Sequence, residues 1–154
     1  MEIQRSEILA LYRRALEAWN QRDAEAFASL FAPNGSCVGF DGSQMNGRKE
    51  IASGLAAVFA DHQTAAYVAK LREVRGLGTG CALLRAVAGM VPPGASELNP
   101  ALNAIQSLVV VRDADWPRVA MLQSTPAAFH GRPQLGEQLT AELVAVLRAG
   151  KLLD

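Results

Sequence analysis

In the first third of the chain apolar residues recur every three or four positions; from about Tyr67 onward they recur in strand-length runs. Ile8, Tyr12, Ala15 and Trp19, with Leu9 and Leu16 beside them, mark one face of a helix. The polar stretch Asn20-Gln21-Arg22-Asp23 interrupts it, and Asp23 has the side chain of an N-cap. A second helix follows with Phe27, Leu30 and Phe31 as its stripe, and Pro33-Asn34-Gly35 predicts the turn that ends it. Two short strands are expected near 37–40 and 44–45, joined by a hairpin at Asp41-Gly42. Gly47 then precedes a third helix whose inner face is Ile51, Leu55, Val58 and Phe59.

Strands are expected over 67–75, 81–91, 103–113 and 118–125. Their turn signals are Gly76-Leu77-Gly78, Pro92-Pro93-Gly94 and Asp113-Ala114-Asp115. Such short separations predict a largely antiparallel sheet. Leu135, Leu139, Leu143 and Val146 mark a closing helix. No repeat, linker or low-complexity tract divides residues 1–154, so one domain is expected. Helices first and strands later imply an α+β fold with helices on one face of a curved sheet. The runs 105–111 and 119–122 are apolar on both parities, so the outer face needs cover as well. A second copy across a two-fold axis is the simplest cover, and a homodimer is expected.

Composition narrows the function classes. A chain of 154 residues, half of them hydrophobic, can bury a real core. Fifteen basic residues balance fifteen acidic ones and no basic run occurs, which gives no electrostatic basis for binding nucleic acid. Arg85 interrupts the most apolar stretch, and nothing reaches the ~18 apolar residues of a membrane span. The polar start lacks a signal core, so a cytoplasmic location is expected. Cys37 and Cys81 then read as free thiols. His62 and His130 are the only histidines, too few to suggest zinc. No Gly-x-Gly-x-x-Gly follows a strand, so no cofactor is expected.

Two apolar segments carry interior polar groups, Arg85 in one and Gln106 in the other. Burying such groups costs roughly 2–7 kcal/mol unless they are hydrogen-bonded. Either they satisfy partners within the fold or they line a cavity. Arg85 has the planar fork for a carboxylate, phosphate or enolate oxygen. Its alternatives are an ion pair, with Asp41 or a C-terminal carboxylate, or exposure at a strand edge. Gln106, Gln123 and Asn103 supply amides, which donate and accept hydrogen bonds but take no proton at neutral pH. They suit a ligand or one another. His62 either caps the third helix or serves as a base. Asp41 is either a turn residue or a proton carrier. His130, before Gly131-Arg132-Pro133, covers a cavity mouth, meets a partner, or merely connects to the last helix. Trp19, Phe40, Tyr67 and Met90 are candidates for the wall of a pocket, though aromatic residues at such spacing also form plain core. The proline-rich loop 91–102 would be a rigid rim.

Several blocks then combine: Ala18-Trp19-Asn20 with Arg22-Asp23, Val38-Gly39-Phe40-Asp41-Gly42, and Phe59-Ala60-Asp61-His62. To these add Leu83 to Gly94, Asn99 to Gln106, and Thr125-Pro126-Ala127-Ala128-Phe129-His130-Gly131-Arg132-Pro133. With them the chain resembles the SgcJ/EcaC group of SnoaL-like proteins, in the nuclear-transport-factor-like (cystatin-like) superfamily. The resemblance implies a cone-shaped curved sheet with N-terminal helices packed on its concave face, a C-terminal helix, and usually a homodimer. The group's best-known members accompany enediyne natural-product clusters. Superfamily relatives that isomerise or cyclise ring substrates place carboxylates on the inner face of the sheet; amides stand in the comparable strands here. Two functions stay open, beside a purely structural dimer in which Arg85, Gln106 and Gln123 would bond only one another around a filled interior. One is an acid–base isomerase, cyclase or tailoring enzyme acting on a hydrophobic polyketide-like substrate. In it Arg85 would stabilise charge, Gln106 and Gln123 would orient the substrate, and His62 or Asp41 would move the proton. The other is a non-catalytic dimer that holds a hydrophobic metabolite, which the missing carboxylate base favours.

Overall fold

The computed structural model describes residues 2–154. Its helices are α1 (Arg5–Asn20), α2 (Ala24–Ser29), α3 (Arg48–Asp61) and α4 (Pro133–Arg148). Its strands are β1 (Phe31–Val38), β2 (Gln44–Asn46), β3 (Ala66–Gly78), β4 (Cys81–Val91), β5 (Ala104–Asp113) and β6 (Trp116–Pro126). They form one curved, open sheet in the order β2-β1-β6-β5-β4-β3. Every pairing is antiparallel except β1 with β6, so the sheet is mixed. The fold is α+β, as the order of periodicities implied.

Local chemistry explains the elements and two departures from expectation. Asp23 does cap α2, its Oδ1 accepting from Ala26 N at 3.0 Å. That helix stops at Ser29, and no turn follows at Pro33-Asn34-Gly35, because Phe31 already lies in the sheet opposite Val119. Pro33 and Asn34 fall where the register jumps from Phe31/Val119 to Ser36/Met121, an irregularity where a missing amide donor costs little. Gly35 is required there, since a Cβ would lie 2.7 Å from Val119 O. The expected two-residue hairpin is instead a five-residue loop, 39–43, closed by Gly39 N donating to Ser43 O at 2.9 Å.

Helices α1, α2 and α3 cover the inner face of the sheet. Ile8, Leu16, Phe27 and Leu55 pack there against Leu84, Leu108, Val110 and Val119. The fourth helix does not join them. Leu139 and Leu143 of α4 pack on Val87, with Ile105 and Phe129, all on the opposite face. The expectation of helices on one face only is therefore corrected: strands apolar on both parities offer α4 a second seat. A bidentate contact, Arg72 Nη1 and Nη2 to the Glu142 carboxylate at 2.6 and 2.9 Å, ties β3 to α4. The open edge of β3 is partly covered by the last residues, with Ala69 N donating to Leu152 O and Leu71 N to Asp154 O, both at 2.8 Å. Cys37 and Cys81 are unpaired. No helix among the described residues is long and apolar enough to cross a membrane.

Candidate functional site

Between the three N-terminal helices and the inner face of the sheet lies a cavity of about 350 Å³. Helix α1 contributes Tyr12, Leu16 and Trp19, α2 Phe27, and α3 Leu55 and Val58. The β1–β2 hairpin adds Cys37, Phe40, Asp41 and Met45, and the sheet floor adds Tyr67, Met90, Gln106, Leu122 and Ser124. The walls are apolar almost throughout.

Packing holds the aromatic wall in place. Trp19 meets Phe59 and Tyr67 with ring centroids 5.2 and 5.5 Å away, at edge-on or tilted angles. Its indole N–H is satisfied by Ala65 O at 2.9 Å, so the ring presents only carbon to the cavity. Asn20 locks Tyr67 from behind: Nδ2 donates to Tyr67 O at 3.0 Å and Oδ1 accepts from Tyr67 N at 2.7 Å.

The polar end of the cavity is a relay of neutral groups. Tyr12 Oη donates to Gln106 Oε1 at 2.6 Å, and Gln106 Nε2 donates to Ser124 Oγ at 3.2 Å. Tyr12 and Gln106 are only 1% and 3% exposed. Burial lifts the Tyr12 phenol well above its ordinary acidity range. Burial, then the neighbouring Cys37, pushes Tyr67 up to about 12, and burial pushes the Cys37 thiol up to about 11. All three are therefore protonated at neutral pH. The one carboxylate on the lining, Asp41, lies on the exposed 39–43 loop. The Ser43 backbone amide donates to it at 2.9 Å and holds it below the usual carboxylate range. That hydrogen bond leaves it a poorer proton acceptor than a free aspartate.

Trp19, Phe40, Tyr67, Met90, Gln106 and Asp41 thus converge on one cavity. The remaining candidates do not. Arg85 and Gln106 pair with Ser107 and Ala86 respectively, and this register puts their side chains on opposite faces of the sheet. Arg85, its side chain 43% exposed, donates to Glu73 Oε1 at 2.8 Å on the outer face. Its partner is neither Asp41 nor a C-terminal carboxylate. Gln123 also points outward and is exposed. Asn103 is buried beneath α4, its Nδ2 donating to Thr140 Oγ1 at 2.9 Å. His62 is the exposed C-cap of α3, through its backbone. Arg22 donates to the carbonyls of Phe59 and His62, so a guanidinium, not the imidazole, offsets that helix end. His130 is exposed in the turn before α4, where Phe129 packs on the outer face.

Ser124 was missed in favour of its neighbour Gln123. Strand β6 carries an extra residue, Ala120, between Val119 (opposite Val110) and Met121 (opposite Val109). Counting inward positions from Val119 without that bulge selects Gln123; with it, Leu122 and Ser124 face in. The signal that would have found Ser124 is its position opposite Gln106 on the neighbouring strand.

A SnoaL-like domain profile matches residues 8–128 of the chain. The chain belongs to the SnoaL-like domain family. Solved structures share its fold. A cystatin-like-fold domain of unknown function from Nostoc punctiforme superposes with a TM-score of 0.77 at 22% identity, covering 96% of this chain and 99% of that one. An NTF2-like protein of unknown function from Shewanella oneidensis gives 0.64 at 17%, covering 78% and 97%. A ketosteroid isomerase-like protein from Erwinia carotovora atroseptica gives 0.63 at 17%, covering 79% and 95%. No curated protein matches the chain in sequence. This SnoaL-like chain therefore has a known architecture.

Proposed function

We propose that this SnoaL-like protein binds a hydrophobic, ring-containing metabolite of the polyketide-like natural-product class, as members of the SgcJ/EcaC group would. The observation that carries the reading is the cavity of about 350 Å³, walled by aromatic and aliphatic side chains around a few neutral polar groups. Binding is favoured over acid–base turnover by what the lining lacks. Arg85 and His62 are not among the lining residues, and Asp41 is hydrogen-bonded in its charged form. The groups that do face the ligand space hold their protons at neutral pH. Such a protein holds or shields its ligand, or hands it to a partner enzyme.

The test is thermal unfolding with a panel of aromatic polyketides. Members that fit should raise the melting temperature of the wild type, and Gln106→Ala should lose most of that rise. A panel that leaves the wild type unmoved would remove the reading. Two copies are proposed to pair through the part of the outer face that α4 leaves uncovered, around the half-buried Val109, Val111 and Met121. Light scattering should give a dimer, and Val109→Asp a monomer; a wild-type monomer at micromolar concentration would exclude this pairing.

A further inference from the structure

Exposure along the lining shows where the cavity opens. Tyr12 and Gln106 close its inner end, whereas Asp41, Ser43 and Val58 are exposed. The mouth therefore lies between the 39–43 loop and the C-terminal half of α3. Among the described residues the lining carries one charged side chain, Asp41, and it stands at this mouth. Its contact is with its own loop, Oδ1 accepting from Ser43 N at 2.9 Å, a bond that favours the charged form. Among the described residues it takes part in no salt bridge.

The surroundings leave that charge uncompensated. Asp41 is the only charged residue from Phe31 to Asn46, and α3 has none from Ile51 to Ala60. The basic residues of α3, Arg48 and Lys49, precede Val58 by nine residues or more, about 13 Å along the axis and beyond the screening length of roughly 8 Å. Asp61, exposed and three residues past Val58, adds a second negative charge on that side of the helix. Arg22, packed on Phe59, already donates to the Phe59 and His62 carbonyls and to Thr64 Oγ1. The guanidinium that could have gripped an anion, Arg85, is on the outer face.

Building on the ring-binding reading above, we infer that Asp41 makes the mouth a cation subsite, so that the cavity takes ring ligands whose outward end carries an ammonium group and disfavours those ending in a carboxylate. The ring fills the apolar interior while the ammonium stays hydrated beside Asp41, so no charge is stripped of water. A carboxylate in the same place meets a like charge and no basic partner. Asp41 is thus the specificity residue, and Trp19, Phe27 and Leu122 contribute apolar contact that does not distinguish the two.

The experiment uses three fluorescent probes on one ring system: 9-(aminomethyl)anthracene, 9-anthracenemethanol and anthracene-9-carboxylate, titrated into the full chain at pH 7 and low salt. A solvent-exposed ion pair changes affinity by about threefold. The ammonium probe should therefore bind about threefold more tightly than the alcohol, and the carboxylate about threefold more weakly. Asp41→Asn keeps the acceptor for Ser43 N and should cut the ammonium-to-carboxylate ratio several-fold. Glu142→Gln, which removes one negative charge on the far face, should leave that ratio unchanged, and added salt should compress it in the wild type. Cooperative thermal unfolding verifies that each variant is folded; should Asp41→Asn fail to fold, the salt dependence carries the test. Equal wild-type affinity for the three probes, an undiminished ratio in folded Asp41→Asn, or a ratio indifferent to salt overturns the cation subsite and leaves the ring-binding reading standing. Binding of none of the three overturns both.

Discussion

Replacing Tyr12 by phenylalanine deletes a single oxygen from the centre of the protein and leaves the ring that fills α1's inner face. The lost phenol is 1% exposed, and its acceptor, Gln106 Oε1 at 2.6 Å, belongs to a side chain 3% exposed. Packing changes little, so the cost is that of stripping a buried acceptor of its donor, about 1–3 kcal/mol. Gln106 also borders the cavity, which places the expected loss toward the lower half of that range, about 1–2 kcal/mol. For a chain of this length each kcal/mol corresponds to roughly 2–4 °C, so the melting temperature should drop by roughly 2–8 °C. Urea unfolding followed by tryptophan fluorescence should show a lower midpoint at unchanged slope. Adding Gln106→Leu to Tyr12→Phe should cost less than the two single changes summed, because no buried carbonyl is left unpaired. A loss under about 0.5 kcal/mol, or strictly additive single changes, would show that the relay is not the closed hydrogen-bonded unit described here.

Other outcomes follow from the same geometry. Arg85→Ala should leave the melting shifts produced by the polyketide panel unchanged, since Arg85 pairs with Glu73 on the outer face; a clear loss of those shifts would return Arg85 to the site. Cys37, buried and with its thiol pushed up to about 11, should react with a disulfide reagent at pH 8 far more slowly than Cys81. Equal rates would refute that burial. Glu142→Gln should destabilise the protein by well under ~1 kcal/mol at pH 7, because the Arg72–Glu142 pair is half-exposed and screened. The arginine, first by hydrogen bond and also by charge, holds Glu142 below its ordinary range. The pair's stabilisation is thus present above the ordinary glutamate pKa and lost as pH falls through the lowered one. Wild type and variant should converge in acid, and a gap that widens there would have the wrong sign.

Much of this molecule is decided by short-range chemistry and was legible in the residue order. The helical stripe of Ile8, Tyr12 and Ala15, the cap at Asp23, the helix after Gly47, the span of β4 and the closing helix all follow from periodicity and local hydrogen bonding. So does the aromatic and thioether part of the cavity wall, because inward parity and residue type agree at Trp19, Tyr67 and Met90. What tertiary structure alone decided is which polar side chain faces which way. Arg85 and Gln106 both sit in apolar strands, but their register sends one outward and the other inward. One extra residue at Ala120 exchanges the roles of Gln123 and Ser124. The parallel seat of β1 on β6 and the placement of α4 on the far face were equally out of reach. Each depends on partners distant in the chain, and a side-chain period of two turns a single-residue shift into a change of face.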